Sequence, residues 1–460
     1  VSSEKAGDFK NIGLHVPDIL VLRHGIDLSK WAVVACDQYT SQPEYWKEVE
    51  DLVGDAPSSL RLIYPEIYLE NADKQTRIQE ISRHMEEYLE QGLLVSQGPG
   101  FVLLDRSTSH TESRKGLIVA LDLEKYAFKK GSKTLIRATE GTVMDRLPPR
   151  IQIRSSAILE MPHIMVLIDD PAKTVIEPLF DMDLEKIYDF ELMMNGGHVR
   201  GYRIDKEEDM SDIAGHLGRL AAPETFNRKY NVQDEPVLLY VMGDGNHSFA
   251  TAKVIWEEMK KNATDPQAVM SHPARYALVE LVNIHDPGLE FEPIHRVLFQ
   301  VEQVDLIEQM SGFYRAQGSG FSSQTWTTRE QMLKGNEECR GLLDTHCIPF
   351  VAGDHYGIVR ITDPGLNLEV ATLQAFLDDF LAKRPDSSID YIHGEEIVTQ
   401  LGSTSGNMGF YLPAISKQDL FKTIIMDGAL PRKTFSMGQA EEKRFYMESR
   451  VIDPAAAIQG

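Results

Sequence analysis

Residues 237–253 read VLLYVMGDGNHSFATAK, and the fold turns on how that stretch is divided. The first six residues are apolar and rich in β-branched or aromatic types, the pattern of a strand covered on both faces. From Phe249 the apolar positions Phe249, Ala252, Val254, Ile255 and Met259 approach helical spacing, and Lys260 and Lys261 fall where cations favour a helix end. The stretch therefore predicts an interior strand over 237–242 and a helix over 248–261 packed on its sheet. Between them stands Gly243-Asp244-Gly245-Asn246-His247-Ser248. Two glycines allow a tight turn with close backbone approach, and Asn246 or Ser248 is expected to cap the helix. Asp244 and His247 would then face a helix N-terminus, where free N–H groups attract anions.

At 460 residues the chain exceeds the roughly 250–300 at which a single hydrophobic core stops growing, so two domains are expected. The turn-rich RKYNVQDEP at 228–236 marks the boundary, giving domains of 1–230 and 231–460, the second carrying the Asp244 turn. With 42% hydrophobic and 25% charged residues the composition is that of an ordinary globular protein. A formal charge of −23 repels phosphate backbones and anionic lipid, so neither nucleic acid nor a membrane is an expected partner. A small anion can still be held by a local basic pocket. The three cysteines, Cys36, Cys339 and Cys347, make no disulfide framework and suit a reducing compartment. Cys339 with His346 and Cys347 is the only zinc-like crowding, and its spacing is not that of a standard structural site. The segment VSSEKAGDFKNIGLHVPDILVL lacks a basic region followed by an apolar one, and no apolar run approaches the ~20 residues that span a bilayer. A cytoplasmic location is the expectation.

Elsewhere the pattern is helical over 71–92, with Ile78, Ile81, Met85 and Tyr88 on one face and Gly92 closing it. FVLLD at 101–105 and GLIVALDL at 116–123 read as an antiparallel pair, MPHIMVLIDDP at 161–171 as a buried strand, and ALVELVNI at 277–284 as another. Val370, Leu373, Phe376, Leu377 and Phe380 form a helical stripe, and SKQDLFKTIIMDG at 416–428 is a helix with both ends marked. This order of elements implies an α+β protein with mixed or antiparallel sheets flanked by helices.

Four stretches gather charged groups beside structure-forming residues: Thr139-Glu140-Gly141-Thr142 with Arg146; Gly243 to Ser248; Pro293-Ile294-His295-Arg296; and Pro431-Arg432-Lys433-Thr434 leading to Lys443-Arg444. Each also has a plain structural reading. Asp244 and Asn246 are common turn residues, His295 with Arg296 could tie down a strand end, Glu140 could cap or face solvent, and Arg432 with Lys433 could be a solvated loop.

Taken in order, these stretches resemble a bacterial and archaeal family of uncharacterised proteins, domain of unknown function 1015, over nearly the full length of the chain. The family's Asp-Gly-His-His-Arg turn is matched by Asp244-Gly245-Asn246-His247-Ser248, and its proline and His-Arg segment by Pro293-Ile294-His295-Arg296. Glu140-Gly141-Thr142, Arg146-Leu147, Tyr391-Ile392-His393-Gly394 and Pro431-Arg432-Lys433-Thr434 match further motifs. Where the family carries His and Arg this chain has Asn246 and Ser248, and where it carries His this chain has Thr139, so the resemblance implies altered or lost chemistry. The turn is also similar, over that short segment, to the nucleotide-handling loop of the ParB and sulfiredoxin group, which includes free-serine kinases and places phosphates on the helix N-terminus. This implies a ParB/sulfiredoxin-like element at the site.

Three functions follow as expectations. The leading one is an enzyme acting on a phosphorylated small molecule or nucleotide by phosphoryl transfer to a small hydroxyl substrate. In it Asp244, His247, His295 and Glu140 are catalytic, and Gly243, Gly245, Asn246, Ser248, Arg296, Arg146 and Lys433 hold phosphate, with magnesium and a nucleotide as the implied cofactors. His247 is expected to be neutral at the positive end of the helix dipole. No Walker-type loop occurs. The second is metal-assisted hydrolysis with Asp244, His247, His295 and Glu140 as ligands. The third is a non-catalytic ligand-binding protein that has lost part of the family site. The metal and the oligomeric state stay open at the level of sequence.

Overall fold

Strand Arg114–Asp122 sends alternate side chains into two different cores: Ile118 and Ala120 into one, Leu117, Val119 and Leu121 into the other. A strand with apolar residues on both faces can only lie inside a layered structure, because a period of two delivers every second side chain to the opposite side. In the computed structural model, which describes residues 9–456 other than 70, 130, 340 and 341, this strand is central to a nine-stranded mixed sheet. Its main path runs Ile136–Arg137, Tyr240–Asp244, Met165–Ile168, Tyr276–Asn283, Arg114–Asp122, Phe101–Ser107, His198–Ile204, Glu185–Glu191, with Leu14–His15 also paired to Arg114–Asp122. Tyr240–Asp244 is parallel to Ile136–Arg137 and Met165–Ile168 is parallel to Tyr276–Asn283, whereas the remaining pairs are antiparallel.

One face of the sheet is covered by residues of the first hundred positions, including the helices Pro43–Val53 and Lys74–Glu90, whose Ile78, Ile81, Met85 and Tyr88 are buried as expected. On the other face lie helix Asn246–Asn262 and helix Glu207–Leu220. The interior strand expected over 237–242 is found at Tyr240–Asp244, with 237–239 outside it, and the helix expected over 248–261 runs Asn246–Asn262. The buried face of that helix is Phe249, Ala252 and Trp256, while Val254, Ile255 and Met259 are half-buried. The expected pairing of 101–105 with 116–123 is also found, with Leu103 opposite Leu117.

The chain divides into two units, Val1–Glu290 with Gly438–Gly460, and Phe291–Met437. A boundary at 230/231 is not where the contacts part. It would cut Tyr240–Asp244 from Ile136–Arg137 and Met165–Ile168, the strands on either side of it in the sheet. The RKYNVQDEP segment is a genuine break in the backbone, with Asn231 and Asp234 at positive φ, but it lies inside the first unit.

The C-terminal segment belongs to the first unit. Its Ser449 bridges Leu20, Phe445 bridges Val34, and Arg450 pairs with Glu160 at 2.6 Å. Buried Arg444 donates to Glu280 at 3.1 Å and to Glu448, so the segment that carries Lys443 and Tyr446 is held by charge-assisted bonds that exclude water.

The second unit is a seven-stranded antiparallel sheet whose main path is Gly320–Trp326, His355–Thr362, Thr345–Ala352, Asn407–Phe410, Phe291–Phe299, Ser388–His393. Phe435–Met437 pairs with the start of Phe291–Phe299. Its helices include Glu369–Lys383, which buries the expected stripe, and Lys417–Met426, capped by Ser416 accepting from Asp419 N at 3.1 Å. Among the described residues no helix is long and apolar enough to cross a membrane.

Candidate functional site

The site begins where strand Tyr240–Asp244 ends. Its pairing with Met165–Ile168 shifts register between Met242 and Asp244, and Gly245 follows at φ +76 as the residue from which helix Asn246–Asn262 starts. A Cβ on Gly245 would stand 3.1 Å from Ile164 Cα and 3.1 Å from its Cγ1. The glycine is thus demanded by its left-handed conformation and by the packing of Ile164, not by open space for a ligand.

Neither Asn246 nor Ser248 caps the helix, contrary to expectation. The helix starts at Asn246, one residue too early for that side chain to reach back, and no side chain caps it. Asn246 Nδ2 donates instead to Thr139 Oγ1 at 3.2 Å, while its Oδ1 is buried and accepts no hydrogen bond from the described residues. Ser248 Oγ lies 2.9 Å from His163 Nε2, and His163 Nδ1 lies 2.8 Å from the Tyr446 hydroxyl, which also accepts from Cys36 N at 3.2 Å. The orphan N–H groups of the first turn keep no side-chain acceptor.

Lys443 Nζ lies 3.2 Å from Asp244 Oδ2, with side chains 15% and 30% exposed. Burial alone would raise the Asp244 pKa. The Lys443 ammonium and the Gly245 N–H, which bonds Oδ1 at 2.8 Å, outweigh it and hold the carboxyl below its ordinary value. His247 is pushed down to about 4 by burial and then by Arg150 and Arg146, against the opposing Asp37. It is neutral, as expected from sequence, with desolvation the largest cause and the two arginines next. Val143 N donates to His247 Nε2 at 3.4 Å, which leaves the proton on Nδ1.

These bonds bring the 139–146 segment to the turn. Glu140 follows Thr139 directly, and Arg146 ends the exposed 3-10 turn Met144–Arg146 near enough to act on His247. Gly243 is half-buried within the strand end.

His295, Arg296 and Lys433 belong to the second unit. His295 is buried in strand Phe291–Phe299, accepts from Leu412 N at 3.0 Å, and is pushed down to about 4 by burial, Arg296 and His393. Arg296 is fully buried. It donates to Gln374 Oε1 at 2.9 Å, Ile294 O at 2.7 Å and Arg432 O at 3.2 Å, and its guanidinium sits 4.6 Å from the Tyr391 ring centre. Lys433 is exposed at positive φ. Among the described residues no group of three or more His, Cys, Asp or Glu side chains is placed to hold a metal ion. Of the Cys339, His346 and Cys347 crowding, the two thiols stay together beside Arg360, whose Nε donates to Cys339 Sγ at 3.1 Å, while His346 Nδ1 lies 2.9 Å from Thr372 Oγ1.

Sequence reasoning missed His163, Tyr446 and Arg150 as site residues and left Lys443 only as the end of a basic stretch. A signal for His163 was present, since it is the one imidazole in the strand-like MPHIMVLIDDP run.

Residues 23–379 match the model of a protein family of unknown function, DUF1015. The chain belongs to this family. No curated protein is similar enough to match it. Solved structures are similar to it only distantly. A free serine kinase variant with AMP has a TM-score of 0.38 at 11% identity, covering 73% of this chain and 91% of that one. A free serine kinase variant with ADP has 0.38 at 10%, covering 76% and 95%. A conserved hypothetical protein from Pyrococcus furiosus has 0.34 at 11%, covering 73% and 95%. At this distance no residue role passes from them to this DUF1015 member.

Proposed function

We propose that this DUF1015 protein is an enzyme that binds a phosphorylated small molecule or nucleotide at the Gly243–Ser248 turn and transfers a phosphoryl group to a small hydroxyl substrate. The observation that supports it most is the combination at one turn of an uncapped helix N-terminus, a lysine 3.2 Å from Asp244, and a buried Asn246 Oδ1 with no donor among the described residues. Backbone N–H groups and Lys443 supply positive potential for phosphate oxygens, and Arg146 and Arg150 add to it from the side of His247. Asn246 Oδ1 wants a donor, which a substrate hydroxyl provides.

The two acid–base candidates separate by charge. Asp244 is held ionised, so it is a weak proton acceptor at neutral pH and better suited to a divalent cation that accompanies a nucleotide, since magnesium is often bound by one carboxylate plus phosphates. Neutral His247 carries no proton on Nε2, which accepts the long 3.4 Å bond from Val143 N, and this nitrogen is the base of the proposed transfer.

Thermal unfolding with ATP, ADP and pyrophosphate, each with and without magnesium, tests the reading. A ligand at ~100 times its dissociation constant adds about 2.7 kcal/mol of stability. Lys443→Ala and Arg146→Ala are expected to weaken that effect. No stabilisation by any phosphate compound would overturn the reading.

A further inference from the structure

We infer that Ser248, His163 and Tyr446 form a hydrolytic triad, with Ser248 the nucleophile toward a carboxylic ester whose apolar acyl group fills the cavity beside it. The inference shares the uncapped N–H groups of the turn with the phosphate reading but rests on the Ser248, His163 and Tyr446 chain of contacts, which that reading does not use.

Several helical hydroxyls bond the carbonyl four residues back, Ser155 to Ile151 O, Ser211 to Glu207 O, Thr251 to His247 O and Thr399 to Glu395 O, while Thr372 turns instead to His346 Nδ1 at 2.9 Å. Ser248 likewise does not bond back. Its Oγ turns to His163 Nε2 at 2.9 Å, and the far ring nitrogen is held by Tyr446 at 2.8 Å. This is the nucleophile, base and orienting group of a triad, recognised by geometry and not by chain order. The Tyr446 oxygen accepts from Cys36 N at 3.2 Å, and it lies 2.8 Å from His163 Nδ1. The triad uses the tautomer in which Nδ1–H donates to the phenol oxygen, and in it Nε2 is the base facing Ser248. Buried Tyr446 keeps its proton, its pKa raised well above 10 by burial. It is a positioning residue.

Ser248, His163, Tyr446 and Cys36 line a cavity of about 140 Å³ whose other walls include Leu62, Leu69, Met85 and Ile153 and the paired charges Arg150–Glu66 and Arg154–Glu160. A volume of roughly 150 Å³ is enough for a benzene ring, so a short alkyl or aryl acyl group fits along the apolar wall. The uncapped N–H groups of the same helix turn are donors for a developing oxyanion.

In acylation Ser248 Oγ bonds the ester carbonyl carbon as its proton passes to His163 Nε2. The carbon–alkoxide bond then breaks and His163 returns that proton to the leaving alcohol. Water repeats the sequence, forming the acid and restoring the serine hydroxyl. The sum is ester plus water to acid plus alcohol, with no other reactant.

The test uses an alkyl fluorophosphonate and p-nitrophenyl butyrate on the full chain. The wild type should be labelled on the peptide containing Ser248 and should hydrolyse the ester. Ser248→Ala should lose both by at least about 100-fold, and His163→Gln likewise, with circular dichroism confirming the fold. Tyr446→Phe should lower kcat while leaving KM in place, which a merely structural role would not do. Absence of label on the wild type, or label that survives Ser248→Ala, would overturn the inference. If His163→Gln fails to fold, the Ser248→Ala result decides alone.

Discussion

Lys443 Nζ stands 3.2 Å from Asp244 Oδ2, although one side chain comes from the C-terminal return and the other from the end of an interior strand. The pair is neither open to water nor sealed from it. Lys443→Ala should therefore cost about 1–2 kcal/mol, between the values for exposed and buried ion pairs. Because the folded-state pKa of Asp244 lies below its ordinary 3.8, its contribution is present at neutral pH and is lost as the pH falls through the folded value. Urea unfolding of wild type and Lys443→Ala should differ at pH 7, and the difference should shrink as the pH falls below 3.8.

His247 should remain neutral well below the ordinary imidazole range, with its pKa at about 4. A group whose folded pKa is lowered binds fewer protons in the native state than in the unfolded one, so stability must fall as the pH drops from about 6.5 toward 4. His15 and His295, also lowered to about 4, act in the same direction. In two-dimensional NMR the His247 ring signals should stay still between pH 7.5 and 5. Movement centred near 6.5 would contradict the burial described.

Gly245→Ala should destabilise the chain by about 1–3 kcal/mol, through the left-handed backbone and the Cβ pressed on Ile164. The loss should appear in unfolding experiments without any ligand. A stable variant that fails only in ligand binding would move the purpose of this glycine back to the approach of a phosphate.

Much of the fold was legible because local periodicity and packing agree. Ile78, Ile81, Met85 and Tyr88 could bury together only as a helix, and Val237 to Met242 had nowhere polar to lie. The errors arose where local and long-range demands differ. Asn246 and Ser248 are good capping types, but Thr139 and His163 approach from other segments and take their side chains. RKYNVQDEP is a real turn, yet pairing of the strand after it with Ile136–Arg137 decides that it lies within one unit. Of the candidate site, Asp244, His247, Glu140 and Arg146 were visible as charged residues beside a strand end. Tyr446 was not, because sequence separation hides a contact made by a returning terminus, and His163, though the one imidazole of its strand-like run, is tied to the turn only through such contacts.

Arg296 offers the last test, because its surroundings in the second unit suggest what its guanidinium is for. A fully buried cation costs several kcal/mol to desolvate unless its donors are met, and here Gln374 Oε1 and the carbonyls of Ile294 and Arg432 meet them while Tyr391 covers the plane. Lysine has neither the forked donors nor the flat face. Arg296→Lys should thus leave buried acceptors unpaired and lower stability by about 3 kcal/mol or more. Urea unfolding monitored by tryptophan fluorescence measures the loss. If Arg296→Lys unfolds at the wild-type midpoint yet weakens binding of a phosphate compound, the guanidinium is a ligand for that anion and not a tie between strand and loop.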